Sequence, residues 1–155
     1  MPRRFDQELK ILKEKLLRMA SLAEEAISLA VGSLKNRQQQ LAEKVFDKEE
    51  EINLLDIELD EICLRLLALR QPMAIDLRFI TSALKITSDL ERIGDQAINI
   101  AERSLELIKL PLLKPLIDLP RMADLAQGMV KDAIDAFIKG DDQLAKNVCE
   151  RDDEV

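Results

Sequence analysis

The sequence predicts an all-α protein: an antiparallel three-helix bundle followed by two helices of an incomplete second bundle. Three observations predict it. Only four Gly and five Pro occur among 155 residues, with no Trp or Tyr, while 47% of residues are apolar and 34% charged. That is the profile of long amphipathic helices packed through Leu, Ile and Ala. No window shows the alternation of apolar and polar residues that marks a half-buried strand. Finally, the pattern Met19-Ala20-x-Leu22-Ala23 returns as Met122-Ala123-x-Leu125-Ala126, an offset of 103 positions.

Helix one is placed over 4–36. Phe5, Leu9, Leu12, Leu16, Met19, Ala23, Ala26 and Ala30 alternate spacings of four and three, the seam by which helix packs on helix. Its end is not obvious locally, and the repeat locates it. At the same offset Ala30 meets Ala133, Val31 meets Ile134, and Arg37 meets Gly140. Gly140 suits the residue after a helix C-terminus, and Asp141 suits the N-cap of the next helix. The first turn therefore falls near Asn36 to Gln38. Helix two is placed over 38–70 and ends at Gln71-Pro72, because the residue before proline is pushed out of the α region. Helix three is placed over 74–109. Pro111, Pro115 and Pro120 make a stiff connection, helix four spans about 120–138, and helix five opens near 141. Three helices of this length, each about 50 Å long, with short turns pack as an antiparallel bundle.

The domain division is 1–110 for the first repeat, 111–119 for a proline-containing linker and 120–155 for a partial second repeat. Val155 aligns with Ile52, so a full second repeat would continue with the rest of helix five and a sixth helix. The chain is expected to be a fragment or the product of a truncated gene. The unpartnered apolar faces of its last two helices favour dimerisation.

Charge and composition exclude several functions. A net charge of −7 argues against nucleic-acid binding, which needs a basic surface. Histidine is absent, which removes Ser-His-Asp and Cys-His chemistry, ordinary catalytic zinc, and the Glu-x-x-His di-iron site. Any metal must be held mainly by oxygen, favouring magnesium, calcium, manganese or oxidised iron. Cys63 and Cys149 form no CxxC pair and are expected to be small buried hydrophobes on apolar helix stretches. Met1-Pro2-Arg3-Arg4 leads straight into a charged helix, with no signal-like or membrane-spanning apolar run, so a cytoplasmic location is expected.

The most informative segment runs from Asp89 to Glu102. Glu91, Asp95, Asn99 and Glu102 step at four, four and three, which groups them within about 80° on the helix wheel. Leu90, Ile93, Ala97 and Ala101 fall opposite. Acidic side chains four apart repel, and a bound cation reverses that sign. On helix two, Asp47, Glu51 and Glu58 share a face beside the apolar stripe and offer a second source of ligands, since a hard cation takes six or more oxygens. Against this stands a plain solvated face, screened by Arg92 and Arg103.

Asp89-Leu90-Glu91-Arg92-Ile93-Gly94-Asp95, with Asn99-Ile100-Ala101-Glu102 after it, resembles the signature of the PhoU family. Gln71-Pro72-Met73-Ala74-x-Asp76-Leu77-Arg78 and the stretch Asp47 to Leu54 are similar to it as well, and the likeness covers essentially the whole chain. The resemblance implies two three-helix bundles, each with a Glu/Asp-x-x-x-Asp motif that binds metal at the bundle surface, iron, zinc and magnesium among them. The motif falls on Glu91 and Asp95. Asn99, Glu102, Asp47 and Glu51 join it on helical geometry alone. The resemblance also implies a cytoplasmic, non-enzymatic negative regulator of the phosphate-starvation response, often dimeric. Such a regulator couples the ATPase of a phosphate ABC transporter to a membrane sensor histidine kinase. Two other classes compete: a structural helical scaffold without metal, and a metal-dependent bundle enzyme or storage protein. The last needs ligands facing a core cavity, whereas the wheel sets Glu91 and Asp95 opposite the apolar stripe.

Overall fold

The computed structural model describes residues 4–155; Met1, Pro2 and Arg3, read above as leading into the first helix, lie outside it. Five α-helices follow one another: α1 Arg4–Asn36, α2 Gln39–Arg70, α3 Ala74–Leu107, α4 Asp118–Lys139 and α5 Asp142–Arg151. A 3-10 turn closes the chain at Asp152–Glu154. No strand occurs among the described residues. The all-α prediction is borne out.

The bundle of α1, α2 and α3 is built on the predicted seam. Leu12, Leu16, Met19, Ala23, Ala26 and Ala30 of α1 are fully buried, against Val45, Ile52, Leu59 and Leu66 of α2 and Ile80, Ala83, Leu90 and Ala101 of α3. Toward the C-terminal ends of α1 and α3 the buried residues are small, Ala26 and Ala30 on one helix and Ala97, Ala101 and Ser104 on the other. Ser104 Oγ there donates to Ile100 O on its own helix, at 2.9 Å, and also reaches Ala30 O of α1. The buried hydroxyls of Ser33 and Thr87 likewise donate to carbonyls three residues back, so none is left unsatisfied. Ion pairs lace the rims: Lys15–Glu58, Arg18–Glu51 and Lys48–Glu25 join α1 to α2. Arg70 at the end of α2 donates to both carboxylate oxygens of Glu8 near the start of α1.

The internal repeat is visible in the backbone. Arg37 and Gly140, matched by the 103-residue offset, both take left-handed conformations, with φ of 53° and 67°. Glycine adopts this region freely, and Arg37 does so against the usual cost to a side chain. Its guanidinium in turn donates to the carbonyls of Ile108, at 2.7 Å, and Leu110, holding the C-terminal end of α3. Asp141 caps α5 as predicted, its carboxylate accepting from Leu144 N at 3.0 Å. Lys48 and Arg151 are also equivalent. Arg151 passes over Gly128, the counterpart of Glu25, and pairs with Asp132 one turn further along α4.

Two local expectations differ. Pro120 sits in the first turn of α4 rather than ahead of it, which is compatible with helix because its missing N–H is unneeded there. Gln71 leaves the right-handed region ahead of Pro72 as expected, taking the left-handed one with φ 45°. Of the two cysteines only Cys63 is buried, and Cys149 is exposed. The helix that bears it, α5, packs chiefly on α4 and buries no residue fully.

The helix α4 lies against α1, with Val130, Ile134, Phe137 and Ile138 at the core and the Phe137 ring stacked on Phe79 of α3 at 4.6 Å. Beside its N-terminal half lies an apolar groove of about 520 Å³ lined by Ile27, Val31, Ile93, Ile100, Leu119 and Met122.

Candidate metal centre

The site forms where α2 and α3 pack together at Gly94. Gly94 is buried, and a Cβ placed on it would stand 3.3 Å from Ile52 Cδ1 and 3.9 Å from Glu49 Cγ. A glycine here lets the two helices pack with Ile52 over the backbone of α3. Glu49 lies one turn before Ile52 on α2, and Glu91 and Asp95 flank Gly94 on α3. The close approach therefore carries all three carboxylates to one place. One oxygen of each falls within 4.8 Å of the others. Glu49 and Glu91 are half-buried and Asp95 is exposed, so the cluster sits in a groove at the bundle surface and not in the core.

The electrostatics of the cluster are unfavourable without a counter-charge. Partial burial, the proximity of Asp95 and the charges of Glu91 and Glu102 push the Glu49 carboxyl up to about 7. Burial raises Glu91 too, followed by contact with Asp95 and the charge of Asp56. Burial beside Asp60 raises Asp56 itself. Among the described residues no Lys or Arg is ion-paired with Glu49, Glu91 or Asp95. Arg92, expected to screen the stripe, turns to Asp89 instead. Three carboxylates converging without a cation suit a hard, oxygen-seeking metal ion, and they suit no histidine- or thiolate-dependent one.

Glu91 and Asp95 stand together as the sequence indicates, but their partner on α2 is Glu49 and not the residues picked out by phase. Glu51 faces α1 and pairs with Arg18 at 3.1 Å. Asp47 is exposed and shares that edge of the helix, as does Glu58 in its pair with Lys15. Asn99 and Glu102 continue the α3 stripe beyond the cluster, both exposed, and Asn99 Nδ2 reaches Gln96 on its own helix. Glu102 is still near enough for its charge to act on Glu49. The α2 stripe has two edges, one facing α1 and one facing α3, and periodicity alone does not distinguish them. Glu49 and Asp56, on either side of Ile52 at spacings of three and four, are the acids of the α3 edge.

An α-helical bundle with an acid-lined interhelical groove at its surface is the class of protein that the fold and the site define. Residues 16–104 and 119–155 match the PhoU domain model. The chain is 44% identical over 149 residues to the "Phosphate-specific transport system accessory protein PhoU homolog" of Aquifex aeolicus, covering 96% of this chain and 67% of that one. It is 39% identical over 152 residues to the homolog of the same name from Caulobacter vibrioides, covering 97% and 66%. Among solved structures, PhoU from Pseudomonas aeruginosa superposes with a TM-score of 0.92 at 36% identity, covering 97% of this chain and 73% of that one. The phosphate transport system regulatory protein PhoU from Streptococcus pneumoniae gives 0.85 at 32% identity, covering 97% and 71%. This chain belongs to the PhoU family. It spans about two thirds of the length of the curated relatives named here. The names of these relatives describe accessory and regulatory proteins, not enzymes. Among the described residues no helix is long and apolar enough to cross a membrane.

Proposed function

We propose that the protein is a PhoU-type accessory protein of phosphate transport, acting as a non-enzymatic negative regulator, with a metal ion held in the groove between α2 and α3. The observation that carries the metal reading is the convergence of Glu49, Glu91 and Asp95 within 4.8 Å, with no basic partner among the described residues. These three carboxylates would hold the ion, and Asp56 and Glu102 would add negative charge at its rim. The ion would supply charge and rigidity at a bundle face, not a reaction centre. Magnesium, manganese, calcium and iron fit an all-oxygen donor set, and zinc fits it less well.

The regulatory role rests on family membership. In this role the protein sits in the cytoplasm, as a homodimer, between the ATPase of a phosphate ABC transporter and a sensor histidine kinase. The first repeat, 1–110, carries the metal centre; 111–119 links it to 120–155, the start of a second repeat. The matched left-handed turns at Arg37 and Gly140 support that division. Deleting the gene should switch on phosphate-scavenging genes while phosphate is plentiful, and restoring the wild-type gene should silence them. Unchanged expression in the deletion strain would refute the regulatory role. A purely structural scaffold predicts instead that charge-neutralising changes at Glu49, Glu91 and Asp95 leave this response intact.

A further inference from the structure

The outer face of α2 carries an apolar stripe that the bundle does not use. Leu54, Ile57 and Leu64 are 62%, 58% and 58% exposed. With Ala68 they recur at spacings of three, seven and four, which keeps them within about 80° on the wheel and spreads them over about 21 Å of helix. Leu69 and, past the turn, Met73 and Ile75 extend exposed apolar surface to that end of the bundle. Monomeric surfaces seldom align so many large apolar side chains without a partner.

The charges around the stripe are mainly acidic. Glu50 and Glu61 lie on its line, and Asp47 and Asp60 border it. All four are exposed, and none is ion-paired among the described residues. Arg65 is the one basic residue along this face of α2 between Asp47 and Leu69. A second copy of the chain is a poor occupant. A two-fold contact centred on the stripe would set Glu61 against Glu61, in a protein of net charge −7. An anionic lipid surface is disfavoured for the same reason. The complementary surface is an amphipathic helix whose apolar residues meet Leu54, Ile57 and Leu64 and whose Lys or Arg residues meet Glu50, Asp60 and Glu61.

We propose that the outer face of α2, centred on Ile57 and Leu64 with Glu50 and Glu61 in line and Asp60 at its border, docks a basic amphipathic helix of a partner protein. This is independent of the metal centre, whose α2 residue Glu49 lies on the edge toward α3.

The probe is a Leu/Lys peptide about 18 residues long, with Leu at i, i+3, i+4 and i+7. Its binding to the full chain is followed by fluorescence anisotropy beside a Leu/Glu peptide of the same pattern. Wild type should bind the Leu/Lys peptide and ignore the Leu/Glu peptide. The double variants Ile57→Ser/Leu64→Ser and Glu50→Lys/Glu61→Lys should each weaken binding about tenfold or more. All four residues are exposed, so both variants should keep the wild-type circular dichroism. Leu119→Ser/Met122→Ser, in the separate groove beside α4, should bind as wild type does. Equal binding of the two peptides, unchanged binding in Ile57→Ser/Leu64→Ser, or loss in the Leu119 and Met122 variant would each overturn the proposal. So would self-association of the wild type that Ile57→Ser/Leu64→Ser abolishes, because the occupant would then be a second copy.

Discussion

Gly94 lies so close to Ile52 that a Cβ on the glycine would meet the Ile52 Cδ1 atom at 3.3 Å. That one contact between α3 and α2 sets the spacing at which Glu49, Glu91 and Asp95 meet. The stability of the bundle and the geometry of the acidic groove are therefore tied at a single position.

Gly94→Ala gains about 1 kcal/mol of helix propensity, offset by about the same cost for moving the tip of the fully buried Ile52 by a few tenths of an ångström. Its stability in urea should match wild type closely. Gly94→Leu has no such room and should lose about 1–3 kcal/mol by overpacking. It should also weaken metal binding more than Gly94→Ala does, as titration calorimetry would show.

The pH dependence of the metal-free protein follows from the raised carboxyls. Glu49 moves from 4.5 to about 7 in the folded state, so folded protein holds more protons than unfolded protein between those values. Stability is then fully present below about 4.5 and is lost as pH rises toward 7, with Glu91 contributing in the same direction. Urea midpoints taken across this range should fall with pH, and Glu49→Gln should flatten the slope. Metal affinity should run the opposite way and rise with pH, since binding displaces the proton that Glu49 holds below about 7.

Repeat-equivalent positions should respond differently to truncation. Leu16 and Met19 are 0% exposed, while their counterparts Leu119 and Met122 are 45% and 39% exposed. Leu16→Ala or Met19→Ala should cost about 2–5 kcal/mol. Leu119→Ala or Met122→Ala should cost less than about 1 kcal/mol in this chain. Denaturant unfolding of the four variants makes the comparison.

Arg37 combines a left-handed backbone with a side chain that holds the end of α3. Arg37→Ala loses the hydrogen bonds and keeps the strain, and should destabilise by about 1–2 kcal/mol. Arg37→Gly relieves the strain and should recover about half of that, as its counterpart Gly140 suggests. Equal losses in the two variants would show that the backbone conformation carries no cost.

Much of this was legible in the residues. The seam from Phe5 to Ala30 located the buried face of α1, and the 103-residue repeat placed a helix end that no local signal marked. Glu91 and Asp95 were legible because the motif keeps them on one side of α3. Glu49 was not. Its phase sets it beside the buried stripe, yet which edge of that stripe meets α3 depends on how three helices are arranged. Asp47, Glu51 and Glu58 form the better-looking acidic row, and the row proves to belong to α1 through Arg18 and Lys15. Cys149 misled for a related reason, since its helix has an apolar pattern but packs chiefly on one neighbour, α4.

The metal content of the purified chain tests the acidic groove most directly. Protein prepared without added metal, then dialysed against manganese or magnesium, is compared by elemental analysis and calorimetry with Glu49→Gln, Glu91→Gln and Asp95→Asn. Wild type should retain a divalent ion, and each variant should lose it or bind at least about tenfold more weakly, with Asp47→Asn and Glu51→Gln near wild type. Equal metal retention in wild type and the Glu49, Glu91 and Asp95 variants would contradict the assignment of the site.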